Sequence, residues 1–119
     1  MFRVIIAGSR GFDNYDLLCA YADYKLSKIT DEIEIVSGWA KGADQLGERY
    51  AKERGYSLRI FPAEWDIYGK RAGYLRNVKM AEYADALLAF WDGKSVGTKN
   101  MINEAILRGL RIGIKMYEQ

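Results

Sequence analysis

The chain contains no histidine and a single cysteine, Cys19. Without histidine no Ser-His-Asp triad is available, and with one cysteine there is neither an internal disulfide nor the usual ligand set of a zinc site. These two absences exclude most hydrolase mechanisms, and no metal or cofactor is expected. Cys19 lies in the apolar run Leu17-Leu18-Cys19-Ala20, where a small buried hydrophobe is the expectation and a reactive thiol the alternative. An excess of one charge is also missing, since 18 Lys and Arg against 16 Asp and Glu leave a net charge of +2. That balance gives no electrostatic argument for duplex DNA or a membrane surface. No apolar run approaches the ~20 residues of a membrane helix, and no charged segment leads into one. A cytoplasmic protein without membrane contact is expected. Half of the residues are apolar, enough for one globular domain, residues 1–119, around a single core.

What is present is glycine in three places, each between an apolar strand-like run and a helix-like run. The segments read Gly8-Ser9-Arg10-Gly11, Ser37-Gly38-Trp39-Ala40-Lys41-Gly42-Ala43-Asp44 and Asp92-Gly93-Lys94-Ser95-Val96-Gly97-Thr98. A strand that ends in glycine and turns into a helix leaves backbone N–H groups outward with the positive end of the helix dipole behind them. Such a turn suits phosphate. Three of them point to one pocket for a nucleotide or a nucleotide derivative.

Short β-branched runs at Arg3 to Ala7, Ile33 to Ser37, Leu58 to Phe61, Ala86 to Phe90 and Arg111 to Met116 predict five strands. Four helices are predicted between them. Asp13 or Asn14 caps the first, with Leu18, Tyr21, Ala22 and Ile29 on one side. Ala43, Leu46, Gly47, Tyr50 and Ala51 mark the second, Ala72, Leu75, Lys79, Met80 and Tyr83 the third, and Met101, Ile102, Ala105 and Ile106 the fourth. Gly55 and Gly109 stand where a helix ends in positive φ. Alternating strands and helices demand right-handed crossovers and a parallel sheet, an α/β three-layer sandwich with probable strand order 3-2-1-4-5. Ligands in such sheets sit outside the carboxyl ends of the strands where the order reverses, here between the first and fourth strands. The first and third glycine segments then face each other, with the second alongside.

Neither familiar phosphate fingerprint is complete. Gly8-Ser9-Arg10-Gly11 is not G-x-G-x-x-G, and Leu88 occupies the place of the upstream glycine of a Walker loop. What remains is backbone amides, the hydroxyls of Ser9, Ser37, Ser95 and Thr98, and Arg10 and Lys41 as charge partners. The stretch from Phe61 to Asn77 is longer than a plain connection between strand and helix needs. It carries Trp65 and Tyr68 to stack on a base, Glu64 or Asp66 to accept from ribose, and Arg76 to reach phosphate.

The motifs GSRGF, SGWAKGAD, FPAEWDIYGKRAGYLRN and AFWDGKSVGT together resemble the YspA-like, YpsA-related branch of the SLOG superfamily, from about Phe2 to Ile106. The resemblance implies a Rossmann-like fold that binds nucleotides or nucleotide-derived ligands. Its relatives are the Lonely Guy phosphoribohydrolases and the single-strand-binding domain of DprA. It implies that Gly8, Ser9 and Arg10 form a first ligand loop and Gly38, Gly42 and Asp44 a second. Arg76 matches the arginine before the fourth strand of Lonely Guy enzymes, and Gly97 and Thr98 match the Gly-Thr of their P-G-G-x-G-T-x-x-E motif. The glutamate of that motif is here Met101. Glu104 lies three residues on, about 4.5 Å along a helix, and does not automatically replace it.

The expected ligand-binding set is therefore Gly8, Ser9, Arg10, Ser37, Gly38, Lys41, Gly42, Asp44, Trp65, Tyr68, Arg76, Asn77, Gly93, Ser95, Gly97 and Thr98. Glu64, Asp66 and Glu104, together with Asp44, are the candidates for acid or base. The leading expectation is a binding module for ADP-ribose, a nucleoside phosphate or a cyclic nucleotide signal, acting as sensor or sponge. An N-glycosidic hydrolase of nucleoside monophosphates is the first alternative. Single-stranded nucleic acid on Trp65, Tyr68 and Tyr74, with Arg10, Arg71 and Arg76 along the backbone, is the second. Numerous Tyr, Trp and Met residues and the resemblance together imply a homo-oligomer.

Overall fold

The computed structural model describes residues 1–118; Gln119, the last residue of the expected domain, lies outside them. Five strands, β1 (Phe2–Gly8), β2 (Ile33–Ser37), β3 (Ser57–Ile60), β4 (Ala86–Trp91) and β5 (Arg111–Met116), alternate with helices. The helices are α1 (Tyr15–Leu26), α2 (Ala43–Arg54), the single turn α3 (Trp65–Tyr68), α4 (Ala72–Tyr83) and α5 (Val96–Leu107). All strand pairs are parallel and the order is β3-β2-β1-β4-β5, as the alternation of elements predicts. The fold is a Rossmann-like α/β sandwich.

The two central strands read as unbroken apolar runs because both of their faces are covered. Val4 and Ile6 of β1 and Leu88 and Phe90 of β4 point toward α1 and α2, into a cluster with Leu18, Ala22, Tyr50 and Ala51. Ile5 and Ala7 and their neighbours Leu87 and Ala89 point the other way, onto Met80, Met101 and Ala105 of α4 and α5. The period of two in the strands thus makes two half-cores from one sheet.

Helix ends follow local chemistry. The Asn14 side chain caps α1 by accepting from the Leu17 N–H at 3.0 Å, and Ser95 caps α5. Gly55 and Gly109 both take φ of +71°, as their places after α2 and α5 require. Cys19 is half-buried against the α1–α2 core.

Several expectations need correction: Ile29 falls beyond the end of α1, and Ile106 stands exposed on α5, apart from the buried Met101, Ile102 and Ala105. The stretch after β3 is not an open loop, because α3 and a 3₁₀ turn (Gly69–Arg71) run directly into α4. Lys79 does not share the buried side of α4, which is made by Ala72, Asn77, Met80 and Ala81. It extends to solvent and pairs with Glu64 at 3.6 Å, since an ammonium loses its hydration if buried without a partner.

Candidate functional site

At the carboxyl ends of β1 and β4, where the strand order reverses, Gly8 pairs with Phe90. A Cβ at Gly8 would run into the Phe90 carbonyl. The close approach lets Ser9 N–H bond Phe90 O at 3.0 Å and Asp92 N–H bond Ser9 Oγ at 3.3 Å. Above this seam opens a cleft of about 230 Å3. Ala7, Gly8 and Arg10 line it from β1 and its turn, Ala40 and Asp44 from the second turn and α2. Trp65, Lys70, Gly73, Tyr74, Arg76, Asn77 and Met80 come from α3 through α4, and Ser95, Gly97, Thr98 and Met101 from α5.

The three glycine turns do converge on this rim, but most of their amides are already taken. In the second turn Trp39 N–H goes to Ser37 Oγ at 3.1 Å and Ala40 N–H to Asp44 Oδ2 at 3.1 Å. In the third, Lys94 and Ser95 donate to Asp92 Oδ1 at 2.9 and 2.8 Å. The Asp92 carboxyl is held below its ordinary range by those amides. Two carboxylates of the chain thus occupy two of the anion-attracting nests. The first turn of α5, whose Gly97 and Thr98 line the cleft, stays partly open. Thr98 N–H is capped by Ser95 Oγ at 3.4 Å and Lys99 N–H by Ser95 O at 3.1 Å. The amides of Val96 and Gly97, which have no intrahelical acceptor, remain beside the cleft.

Arg76 is the central cation. Its Nη1 donates to the Gly38 carbonyl and its Nε to Asn77 Oδ1 at 3.0 Å. Asn77, itself buried, donates in turn to Asn100 Oδ1 at 2.9 Å and to Gly97 O at 3.4 Å. Arg76 and the opening of α5 are therefore tied through one amide. Among the described residues Arg76 makes no ion pair. Burial lowers its pKa, the Asp44 carboxylate works against that, and the like charge of Arg10 adds to it. Among the described residues Asp44 is the only carboxylate lining the cleft. Burial pushes its pKa up to about 6, against the lowering effect of the Ala40 N–H and of Arg76.

The structure brings Gly8, Arg10, Asp44, Trp65, Arg76, Asn77, Ser95, Gly97 and Thr98 together around the cleft. The others of the expected set stand apart from its lining. Ser9 and Ser37 are buried with inward hydroxyls, that of Ser37 donating to Glu48 at 2.8 Å. Gly42, at φ +79°, starts α2 where a side chain would strike Ser9 and Arg10 carbonyls. Gly38 backs Arg76, Lys41 is exposed, and Gly93, at φ +81°, lies next to Met116. Tyr68 and Glu64 line a second groove beyond Arg76. Asp66 is exposed, and Glu104 is spent on Arg108, one helical turn away, at 2.5 Å. Lys70, Gly73 and the floor residue Met80 were not expected. Lys70 lies in the GKRAG run, where its charge was the available signal.

A parallel sheet in this order with a cleft at its reversal point is a Rossmann-like architecture. The chain belongs to the YspA, cpYpsA-related SLOG family, whose model matches residues 2–68. It is 37% identical over 119 residues to the Gene 61 protein of Mycobacterium phage D29, covering 94% of each chain. Two solved structures share the fold. TM1055, a structural genomics target, has a TM-score of 0.69 at 18% identity over 94% of this chain and 72% of that one. DNA processing protein A (DprA) from Streptococcus pneumoniae has a TM-score of 0.73 at 17% identity over 95% of this chain. The match covers 49% of DprA, so the chain spans about half the length of that protein. Among the described residues no helix is long and apolar enough to cross a membrane.

Proposed function

We propose that the cleft binds an anionic, nucleotide-derived small molecule and that the chain acts as its sensor or sponge. The observation that carries this reading is an unpaired guanidinium, Arg76, facing Arg10 and Lys70 across a cleft edged by the free first-turn amides of α5. Like charges facing one hollow repel each other until an anion enters. Phosphate meets that need through bidentate contact with Arg and through the helix dipole. Trp65 and Tyr74, half exposed at the mouth, offer ring faces to a base. ADP-ribose, nucleoside phosphates and cyclic nucleotides share this chemistry.

Capture without turnover is supported by the cleft floor. Met101, at the position of the Lonely Guy glutamate, is buried there with Met80 and Ala7. An N-glycosidic hydrolase would rest on Asp44 alone, whose raised pKa is in the range of a general acid.

The test is to incubate the purified protein with nucleoside monophosphates, NAD and ADP-ribose while following melting temperature and released base. Stabilisation without base release supports capture. Catalytic base release that is lost in Asp44→Asn supports the hydrolase instead. Absence of any response from these ligands, with salt-dependent retention on a single-stranded oligonucleotide, would move the function to nucleic acid.

A further inference from the structure

Arg76 has a second face. Behind it a groove of about 270 Å3 runs between the end of β3 and the first turns of α4, lined by Arg59, Phe61, Glu64, Tyr68, Leu75 and Lys79. Among the described residues Arg76 alone lines both this groove and the cleft described above. Two of its nitrogens are committed, Nε to Asn77 and Nη1 to Gly38. Among the described residues Nη2 has no acceptor, and it lies 3.8 Å from where a Cβ on Gly73 would stand. The free end of the guanidinium therefore sits at the wall between two hollows.

The chemistry of the groove resembles that of the cleft. Tyr68 is 44 % exposed, and its ring and that of Phe61 offer apolar surface. The Arg59 guanidinium lies over the Phe61 ring, 5.0 Å from its centroid. Lys79 is paired only with Glu64, at 3.6 Å and half exposed on both sides, a contact weak enough to be exchanged for a ligand anion. Size points the same way. Ligand sites usually hold roughly 300–1,000 Å3; each hollow alone falls short of that range, and the two together fall within it.

The geometry points to a two-armed ligand: two nucleoside units joined by a phosphate bridge, with the bridge on Arg76, one unit in the cleft and the other in the Tyr68–Lys79 groove. This rests on the nucleotide reading above and adds to it the class of ligand. It also accounts for Tyr68 and Glu64, which the sequence groups with the site and which the fold sets on the far side of Arg76.

The experiment compares nucleoside monophosphates of the four bases with the matching dinucleosides joined by a phosphodiester or a diphosphate, titrated calorimetrically against wild type, Tyr68→Ala and Lys79→Ala. Both substituted side chains are solvent-facing, and melting curves check that the fold is kept. A bridged ligand should bind at least about tenfold more tightly than its monophosphate, and each substitution should remove about tenfold of that while leaving the monophosphate within about twofold. Bridged and single ligands of equal affinity would overturn the inference while leaving the cleft a nucleotide site. So would substitutions that weaken both alike. If neither class binds, both proposals fall.

Discussion

Gly38 and Arg76 fix each other: the guanidinium donates to the Gly38 carbonyl, and a Cβ at residue 38 would stand 2.6 Å from that same Nη1 and 2.9 Å from Asp44 Oδ2. The glycine is there because the Arg76 guanidinium and the Asp44 carboxylate both close over its backbone without room for a side chain. Gly38→Ala should push the guanidinium out of the wall, costing about 1–3 kcal/mol of stability through overpacking and at least about tenfold in ligand affinity. Chemical denaturation and calorimetric titration measure the two separately. An alanine variant that binds as wild type would show that Arg76 need not stand where it does.

Gly97 is the opposite case, exposed, with nothing within 4 Å of an added Cβ. A carboxylate in the first turn of a helix is favourable to the helix itself, so Gly97→Asp should melt at or above the wild-type temperature. It also occupies the open amides of α5 with negative charge, and binding of any phosphate ligand should be lost. Arg76→Ala should lose binding as well, by deleting the cation. Cys19→Ala, on the α1 side of the sheet, should leave affinity unchanged; a large effect there would misplace the whole site.

Strand order was legible because it follows from alternation: five β-branched runs separated by helix-length segments leave few ways to wind a sheet, and the rim at Gly8 and Phe90 comes with them. The use of the amides was not legible. Asp44 and Asp92 read along the chain as ligand-facing or turn residues, and only folding shows each carboxylate turned back onto N–H groups of its own loop. The division between cleft and groove was hidden for a similar reason. Trp65 and Tyr68 are three residues apart in the single turn α3, yet Trp65 lines the cleft and Tyr68 the groove, a division that shows only once α3 is set between the two hollows.

Asp44 gives the protein a pH signature. A carboxyl whose folded pKa is raised contributes stability that is complete below its unfolded value, near 3.8, and is lost as pH rises through about 6. The loss is of order 2–3 kcal/mol at most. Urea melts of wild type should therefore lose a component of stability between about pH 4 and 6.5 that Asp44→Asn lacks. An anion bound beside Asp44 raises that pKa further, so ligand binding near pH 6.5 should take up protons, measurable as a buffer-dependent heat. Identical pH profiles for wild type and Asp44→Asn would mean that the carboxyl is not desolvated as the packing implies.

Asn77 was expected to touch ligand, yet its polar atoms are already engaged. It accepts from Arg76 Nε and donates to Asn100 and Gly97, with 6% of its surface exposed. It acts on ligand by holding Arg76 and the α5 opening in register, as a positioning residue. Asn77→Ala leaves the half-buried Asn100 Oδ1 and the Arg76 Nε without these partners, a cost of about 1–3 kcal/mol. A double-mutant cycle separates positioning from contact. If Asn77 works through Arg76, Asn77→Ala weakens binding in wild type and adds little more in the Arg76→Ala background, measured with a ligand concentration range wide enough to detect the residual affinity. Additive losses would mean that Asn77 reaches the ligand by a route of its own, through the Gly97 turn or by direct contact.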